Sequence, residues 1–297
     1  MERVLVLGGN GFLGSTIRSK IRGEHYWHAR SSTGVEKDAA SLIVADLQSQ
    51  LDIENLLNNT KIDVIINCLA LTNIEYCEQN KEEAYWVNST IPKIIANYCA
   101  KKDVALYHFS TDAVYANSPR DSKEDEQLEP KSVYGLSKAL GEQNVVSELR
   151  SAIILRTNFV GLNSKGVGLL NFFTSNLVAH NPVSGFADVQ FNTVEVNQLA
   201  SKFLQIYRNL LPGIYNFTGS EKFTKYEFGL LVAEILNSNQ TLVRKAFISD
   251  TRLSLTRNSN QVMCTKKISS LGVSFPGLKF QLQEILAANL DKNRGLK

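Results

Sequence analysis

The chain has 297 residues, 43% hydrophobic and 21% charged, ample for a globular protein with a large core. Its 32 Lys and Arg against 29 Asp and Glu leave a net charge of only +3, and the basic residues are dispersed, so no nucleic-acid surface is marked. No apolar run approaches the roughly 20 residues of a membrane span. The N-terminal apolar segment is too short for a signal peptide and serves better as a first strand. Cys68, Cys77, Cys99 and Cys264 have neither metal-site nor disulfide spacing. They suit small buried hydrophobes in a reducing, cytoplasmic compartment. His25, His28, His108 and His180 show no metal spacing either, so no metal is expected.

In chain order, RVLVL (3–7) reads as a short buried strand running into Gly8-Gly9-Asn10-Gly11-Phe12-Leu13-Gly14 and a helix over Ser15 to Arg22. Strand, glycine-rich turn and helix is the arrangement that brings backbone N–H groups and a helix N-terminus against a pyrophosphate. Gly8 makes the tight turn, Gly11 admits the phosphates and Gly14 lets helix pack on strand. The spacing is G-x-x-G-x-x-G, and a ligand-free tight turn is the alternative. HYWHA (25–29) reads as the second strand, followed by Arg30-Ser31-Ser32. No acidic residue occurs over 28–34. An acid there suits a ribose 2′-hydroxyl and an arginine a 2′-phosphate, so NADP(H) is expected over NAD(H).

Further strands are expected at SLIVADL (41–47), DVIINCLA (63–70), VALYHFST (104–111) and SAIILRTNF (151–159). Helices fall between them, around 49–59, 78–101 and 133–149, with a break at Pro92. Near-continuous apolar strands separated by helices imply a doubly wound parallel α/β sheet covered on both faces. The helix at VYGLSKALGEQ has Leu136, Leu140 and Val145 available for a buried face. It places Tyr134 one turn from Lys138, on the same side. A cation held there stabilises phenolate and lowers the tyrosine pKa, which suits a proton donor in carbonyl reduction. Alone, Y-x-x-x-K also describes a solvated helix face.

After residue 160 the sheet pattern stops. An irregular segment, 161–194, holds a helix near 168–180, and a helix over Glu195 to Arg208 follows. GIYNFTG (213–219) reads as one more sheet strand. The tail holds a helix near 224–237, a strand near 241–248 and helices near 265–271 and 279–291. The expected division is a dinucleotide-binding domain of 1–160 plus about 195–219, interleaved with a smaller substrate lobe of 161–194 plus 220–297.

Together GGNGFLG (8–14), Asp46-Leu47, NCLALTNIEYCE (67–78), VNSTIP (87–92), FSTDAVY (109–115), VYGLSKALGE (133–142), LRTNFVG (155–161) and RNSNQVMCTKKI (257–268) form a specific set. On these motifs the chain resembles the extended short-chain dehydrogenase/reductases, and most closely their dTDP-4-dehydrorhamnose reductase branch. The resemblance implies a catalytic Thr111, Tyr134 and Lys138, a nicotinamide cofactor and a nucleotide-sugar substrate. Cofactor contacts would come from Gly8, Asn10, Gly11, Phe12, Leu13, Gly14, Arg30, Ser31, Asp46, Leu47, Leu69, Ala70, Ser110, Tyr134 and Lys138. Asp46 would cap the adenine side, or else N-cap the next helix. Ser110 and Thr111 would face the reaction, or else merely cap a strand end.

Thr72, Asn73, Thr111, Asn158 and Arg257 would hold the substrate. The asparagines of 158–196, Asn163, Asn171 and Asn192 included, would offer hydrogen bonds to a sugar and a base. The pattern also departs from the family. Ala113 stands where related 4,6-dehydratases carry an acid, Ala116-Asn117 replaces a glycine, Asn192 a proline and Cys264 an acid. The implied activity is reduction of the 4-keto group of a nucleotide-linked 4-keto-6-deoxy sugar, in a chain compatible with a homodimer. A C4 epimerase and a non-catalytic dinucleotide-binding regulatory subunit are the alternatives.

Overall fold

A computed structural model describes residues 2–32, 41–115 and 118–294. The chain forms two compact units: Met1–Val114, Leu128–Arg156 and Ala200–Tyr215 make the first, and Tyr115–Gln127, Thr157–Leu199 and Asn216–Lys297 the second. Residues 115–127 and 157–160 thus group with the second unit.

The first unit is organised on a seven-stranded sheet of β1 (Val4–Leu7), β2 (His25–Ala29), β3 (Leu42–Val44), β4 (Val64–Asn67), β5 (Ala105–Thr111), β6 (Ile153–Thr157) and β7 (Gly213–Asn216). Their order is β7-β6-β5-β4-β1-β2-β3. β1 lies parallel to both β2 and β4, with Val4 opposite His25 and Val64, and β4 lies parallel to β5. β1 and β4 are buried at every position, which is why they read as unbroken apolar runs. α1 (Phe12–Arg18), α2 (Gln50–Asn58), α3 (Ile91–Lys102) and α4 (Val133–Glu148) are the helices that matter most to the site. Ile53, Leu56 and Leu57 of α2, Ile95 and Cys99 of α3, and Val145 of α4 pack in one cluster with Leu5, Ile65, Leu106 and Ile154. Each such side chain contributes roughly 1.5–3 kcal/mol on burial.

Several boundaries differ from expectation. α1 begins at Phe12 and ends at Arg18, so it starts directly on the glycine turn. β3 is only three residues long, leaving Asp46 outside the sheet. The 78–101 stretch divides into short helices Ile74–Gln79 and Lys81–Tyr85, a π-helical turn Trp86–Thr90, and α3 with Pro92 in its first turn. The proline has no N–H to give to the preceding turn, and it stands where the π-helical turn passes into α3.

The buried face of α4 is not the expected one. Leu136 and Leu140 are 43% and 40% exposed, while Ser137, Lys138, Ala139, Gly141, Glu142 and Val145 are buried. Small residues let the helix approach its neighbours: a Cβ on Gly141 would collide with the carbonyl oxygen of Asn88.

The second unit contains helices Leu169–Val178, Lys225–Ile235 and Leu278–Arg294. Phe173, Phe191, Phe228, Val232 and Leu282 form its core. The 161–194 segment is less irregular than expected, because it holds strands Val183–Phe186, Gln190–Asn192 and Val194–Glu195. Val183–Phe186 pairs in parallel with Val243–Ala246. Lys222–Thr224 and Asn260–Gln261 flank Gln190–Asn192. No helix of the described residues is long and apolar enough to cross a membrane.

Candidate active site

The glycine turn is built for close approach. Gly8 adopts φ 74°, a left-handed conformation that favours glycine, and its carbonyl accepts the Gly11 N–H at 2.9 Å. A Cβ on Gly14 would strike that same carbonyl, so α1 can sit this near β1 only with glycine there. Gly11 is the N-cap of α1, no side chain caps it, and the first turn carries no acid. A positive helix end left uncapped beside exposed Asn10 and Gly11 suits an anionic diphosphate. Phe12 and Leu13 begin the helix. Arg18, which sequence reasoning missed, stacks 3.8 Å over the Trp27 ring and donates Nε to the Gly9 carbonyl at 2.8 Å. It fastens the turn to β2.

Arg30 and Ser31 follow β2 and are exposed. Thr33 and Gly34, the end of the acid-free stretch, lie outside the described residues, as do Ala116 and Asn117. Asp46 is exposed, and its carboxylate accepts from Gln48 Nε2 at 2.8 Å. It does not cap α2; Ser49 and Asp52 do so by a reciprocal capping box. Leu47 is buried, its carbonyl taken by the Trp86 indole N–H at 2.7 Å. Leu69 and Ala70 are half-buried beyond β4.

Thr111 ends β5, and its hydroxyl donates to Asp112 Oδ1 at 2.9 Å while accepting the Ala113 N–H at 3.2 Å. Tyr134 and Lys138 stand one turn apart on α4, whose N-cap Ser132 accepts from Gly135 N. Lys138 is 1% exposed; Nζ donates to the Phe109 carbonyl at 2.7 Å and lies 3.4 Å from His108 Nε2. Burial pushes the lysine down to about 8, against an upward pull from Glu142. Tyr134 is half-buried, and burial pushes its phenol up to about 12, opposed by a hydrogen bond with Thr111 and reinforced by the Asp112 charge. The expectation that Lys138 lowers the tyrosine pKa is therefore corrected: desolvation of the phenol dominates, while the ammonium is drawn to the Phe109 carbonyl.

Ser110 does not offer a free hydroxyl. It donates to Glu142 Oε1 at 2.5 Å, and Glu142 pairs with Arg156 Nη2 at 2.6 Å, all three residues being buried. Asn88, fully buried, clasps both the N–H and the carbonyl of Leu71 and donates to Ser137 Oγ at 3.0 Å. It ties the chain beyond β4 to the helix of Tyr134 and Lys138. Neither network shows in hydropathy. The buried polar VNST run was the one available sign of Asn88.

The substrate-side expectations fare unevenly. Thr72 is exposed, whereas Asn73 uses its side-chain oxygen to cap Ile74–Gln79 through the Tyr76 N–H at 2.9 Å. In the second unit, the Asn158 carbonyl accepts the hydroxyls of Thr193 and Thr218. Asn163 and Asn171 bond to the Val167 carbonyl. Asn192 is buried, donating to the carbonyls of Gly219 and Met263 and accepting the Met263 N–H. These three asparagines hold loops together, which corrects their assignment to a sugar. Arg257 is half-buried, its N–H bonded to the Leu253 carbonyl at 2.9 Å. The structure thus gathers the glycine turn, Thr111, Tyr134 and Lys138 in the first unit, while Asn158 and Arg257 belong to the second. No group of His, Cys, Asp or Glu among the described residues could hold a metal ion.

The sequence and the fold both have named counterparts. Residues 1–290 match the RmlD substrate binding domain family, and the chain belongs to it. A probable low-salt glycan biosynthesis reductase, Agl14, from Haloferax volcanii is 28% identical over 294 residues, covering 96% of this chain and 98% of its own. A dTDP-4-dehydrorhamnose reductase from Aggregatibacter actinomycetemcomitans is 26% identical over 286 residues, covering 90% and 92%. In fold, the chain is similar to a crystal structure of dTDP-4-dehydrorhamnose reductase from Bacillus anthracis in complex with NADP. The TM-score is 0.85 at 19% identity, covering 97% of this chain and 99% of that one.

Proposed function

We propose that the protein is an NADP-dependent reductase of the 4-keto group of a nucleotide-linked 4-keto-6-deoxy sugar, similar to dTDP-4-dehydrorhamnose reductase and acting in the cytoplasm. The observation that carries this reading is the close set Thr111, Tyr134 and Lys138, held by α4 and the end of β5 in the same unit as an uncapped glycine turn. The turn fits a dinucleotide because Gly14 lets α1 start close against the turn and no side chain caps the helix N-terminus at Gly11. Arg30 and Ser31 would receive a 2′-phosphate; Asp46 and Leu47 the adenine side; Leu69 and Ala70 the centre of the cofactor. When bound, the nicotinamide supplies the hydride.

The protein's own groups handle the proton. A tyrosine pushed up to about 12 stays a neutral phenol at working pH, the form a general acid needs. Tyr134 would protonate the carbonyl oxygen as the alcohol forms. The Thr111 hydroxyl would orient that carbonyl, and Lys138 would hold the nicotinamide ribose. The Ser110 hydroxyl donates to Glu142 and is not a free donor. Thr72, Asn73, Asn158 and Arg257 would contact the sugar nucleotide.

The test is a panel of nucleotide-linked 4-keto sugars scored by NADPH consumption. Turnover of at least one supports the reading. Cofactor binding without net consumption of NADPH on any member sinks it, and tightly retained cofactor in that case points to an epimerase.

A further inference from the structure

Behind Lys138 lies a buried relay that the reduction itself does not require. Asn67 and His108 are direct neighbours across the parallel β4–β5 pair. Both are fully enclosed. Asn67 Oδ1 accepts the Leu69 N–H at 3.1 Å, which fixes the amide with its NH₂ toward His108, 3.0 Å from Nδ1. Because an amide NH₂ only donates, Nδ1 must accept, and the neutral ring then carries its proton on Nε2. Nε2 is the atom 3.4 Å from Lys138 Nζ.

We propose that His108 is a positioning residue for the acid/base unit. Held in its Nε2–H form by Asn67, it presents a donor to Lys138 and so favours the uncharged amine over the ammonium. An N–H aimed at an ammonium finds no lone pair; aimed at an amine it makes a hydrogen bond. The ring is a poor proton acceptor itself, since burial and the Lys138 charge hold its pKa well below the ordinary histidine value. The other groups acting on Lys138 are Glu142 on its own helix, paired with Arg156 of β6, and Cys68 beyond β4. Glu142 and Cys68 both favour the ammonium. His108 therefore works with burial and against those two. Lys138 becomes a group that titrates near the working pH instead of a permanent cation. The significance for turnover rests on the reductase reading; the protonation assignment does not.

The experiment uses the full chain without cofactor. The ¹⁵N resonances of His108 report which nitrogen carries the proton. The expected result is a bare Nδ1 and a protonated Nε2 that do not titrate between about pH 6 and 9, a window spanning the ordinary histidine value. A protonated Nδ1, or an imidazolium in that window, overturns the proposal. Separately, ¹³Cε-lysine spectra, with Lys138 assigned by Lys138→Met, follow the lysine. Asn67→Leu removes the amide donor without adding charge and frees Nε2 to accept from the ammonium, so the proton affinity of Lys138 should rise about tenfold or more, a pKa unit. An unmoved Lys138 titration in folded Asn67→Leu also overturns it. If the ¹⁵N and ¹³C signatures hold while no keto sugar is reduced, the reductase reading fails and the relay stands.

Discussion

Glu142 and Arg156 meet at 2.6 Å with both side chains almost wholly buried, and the Ser110 hydroxyl completes the carboxylate's partners. Desolvating two charges is costly, and the pair offsets that cost only while both members remain. Glu142→Leu or Arg156→Met alone should lower stability by about 3–5 kcal/mol, and the double substitution by clearly less than the sum. Urea unfolding measures this. Additive losses would show that the two charges are energetically independent.

Tyr134→Phe keeps the ring and removes the proton. Turnover should fall roughly 10²–10⁴-fold with cofactor affinity intact. Lys138→Met should cost at least as much and also weaken the cofactor. Near-normal turnover by Tyr134→Phe on a verified substrate would remove the acid from the scheme.

Lys138 gives stability a distinctive pH dependence. Its folded pKa, near 8, lies below the ordinary 10.5, so over that interval the unfolded chain binds more protons than the folded one. The lysine's contribution to stability therefore rises with pH between those two values and is flat below about 8. Subtracting the Lys138→Met profile from that of the parent protein isolates it. A difference curve with no upward slope there means that the lysine is not desolvated.

Arg30→Ala should weaken NADPH binding by roughly 10–100-fold, the range of one or two charge-assisted hydrogen bonds, with NADH untouched. Calorimetric titration with both cofactors decides it. Equal affinities in the parent protein would rule out the 2′-phosphate role.

Arg257→Ala should raise the KM for the sugar nucleotide by about tenfold or more, as loss of a guanidinium–phosphate contact does, with NADPH affinity constant. If NADPH binding falls while KM stays put, the arginine belongs to the cofactor instead.

The strands around Val4–Leu7, Val64–Asn67 and Ala105–Thr111 were legible because burial on both faces makes sequence and structure say the same thing. Tyr134, Lys138 and the glycine turn were legible because each is a pattern of local spacing, one helical turn or one strand-to-helix turn. The face of α4 was not. Leu136 and Leu140 point outward, and the buried side is written in Ser137, Gly141 and Glu142, residues whose placement depends on Asn88 and Arg156 from distant parts of the chain. His108 and Asn67 were hidden for the same reason, since their partnership exists only across paired strands. Val183–Phe186 escaped notice because its partner lies sixty residues further on, at Val243–Ala246.

Trp27, beneath Arg18, and Trp86, bonded to Leu47, are the only two tryptophans of the chain, and both belong to the first unit. Intrinsic indole fluorescence is thus a one-sided optical probe: a melt followed at tryptophan emission reports the unravelling of the first unit and is blind to the second. Circular dichroism or calorimetry run in parallel would see both. Any gap between the two transition temperatures would measure how far the halves unfold independently.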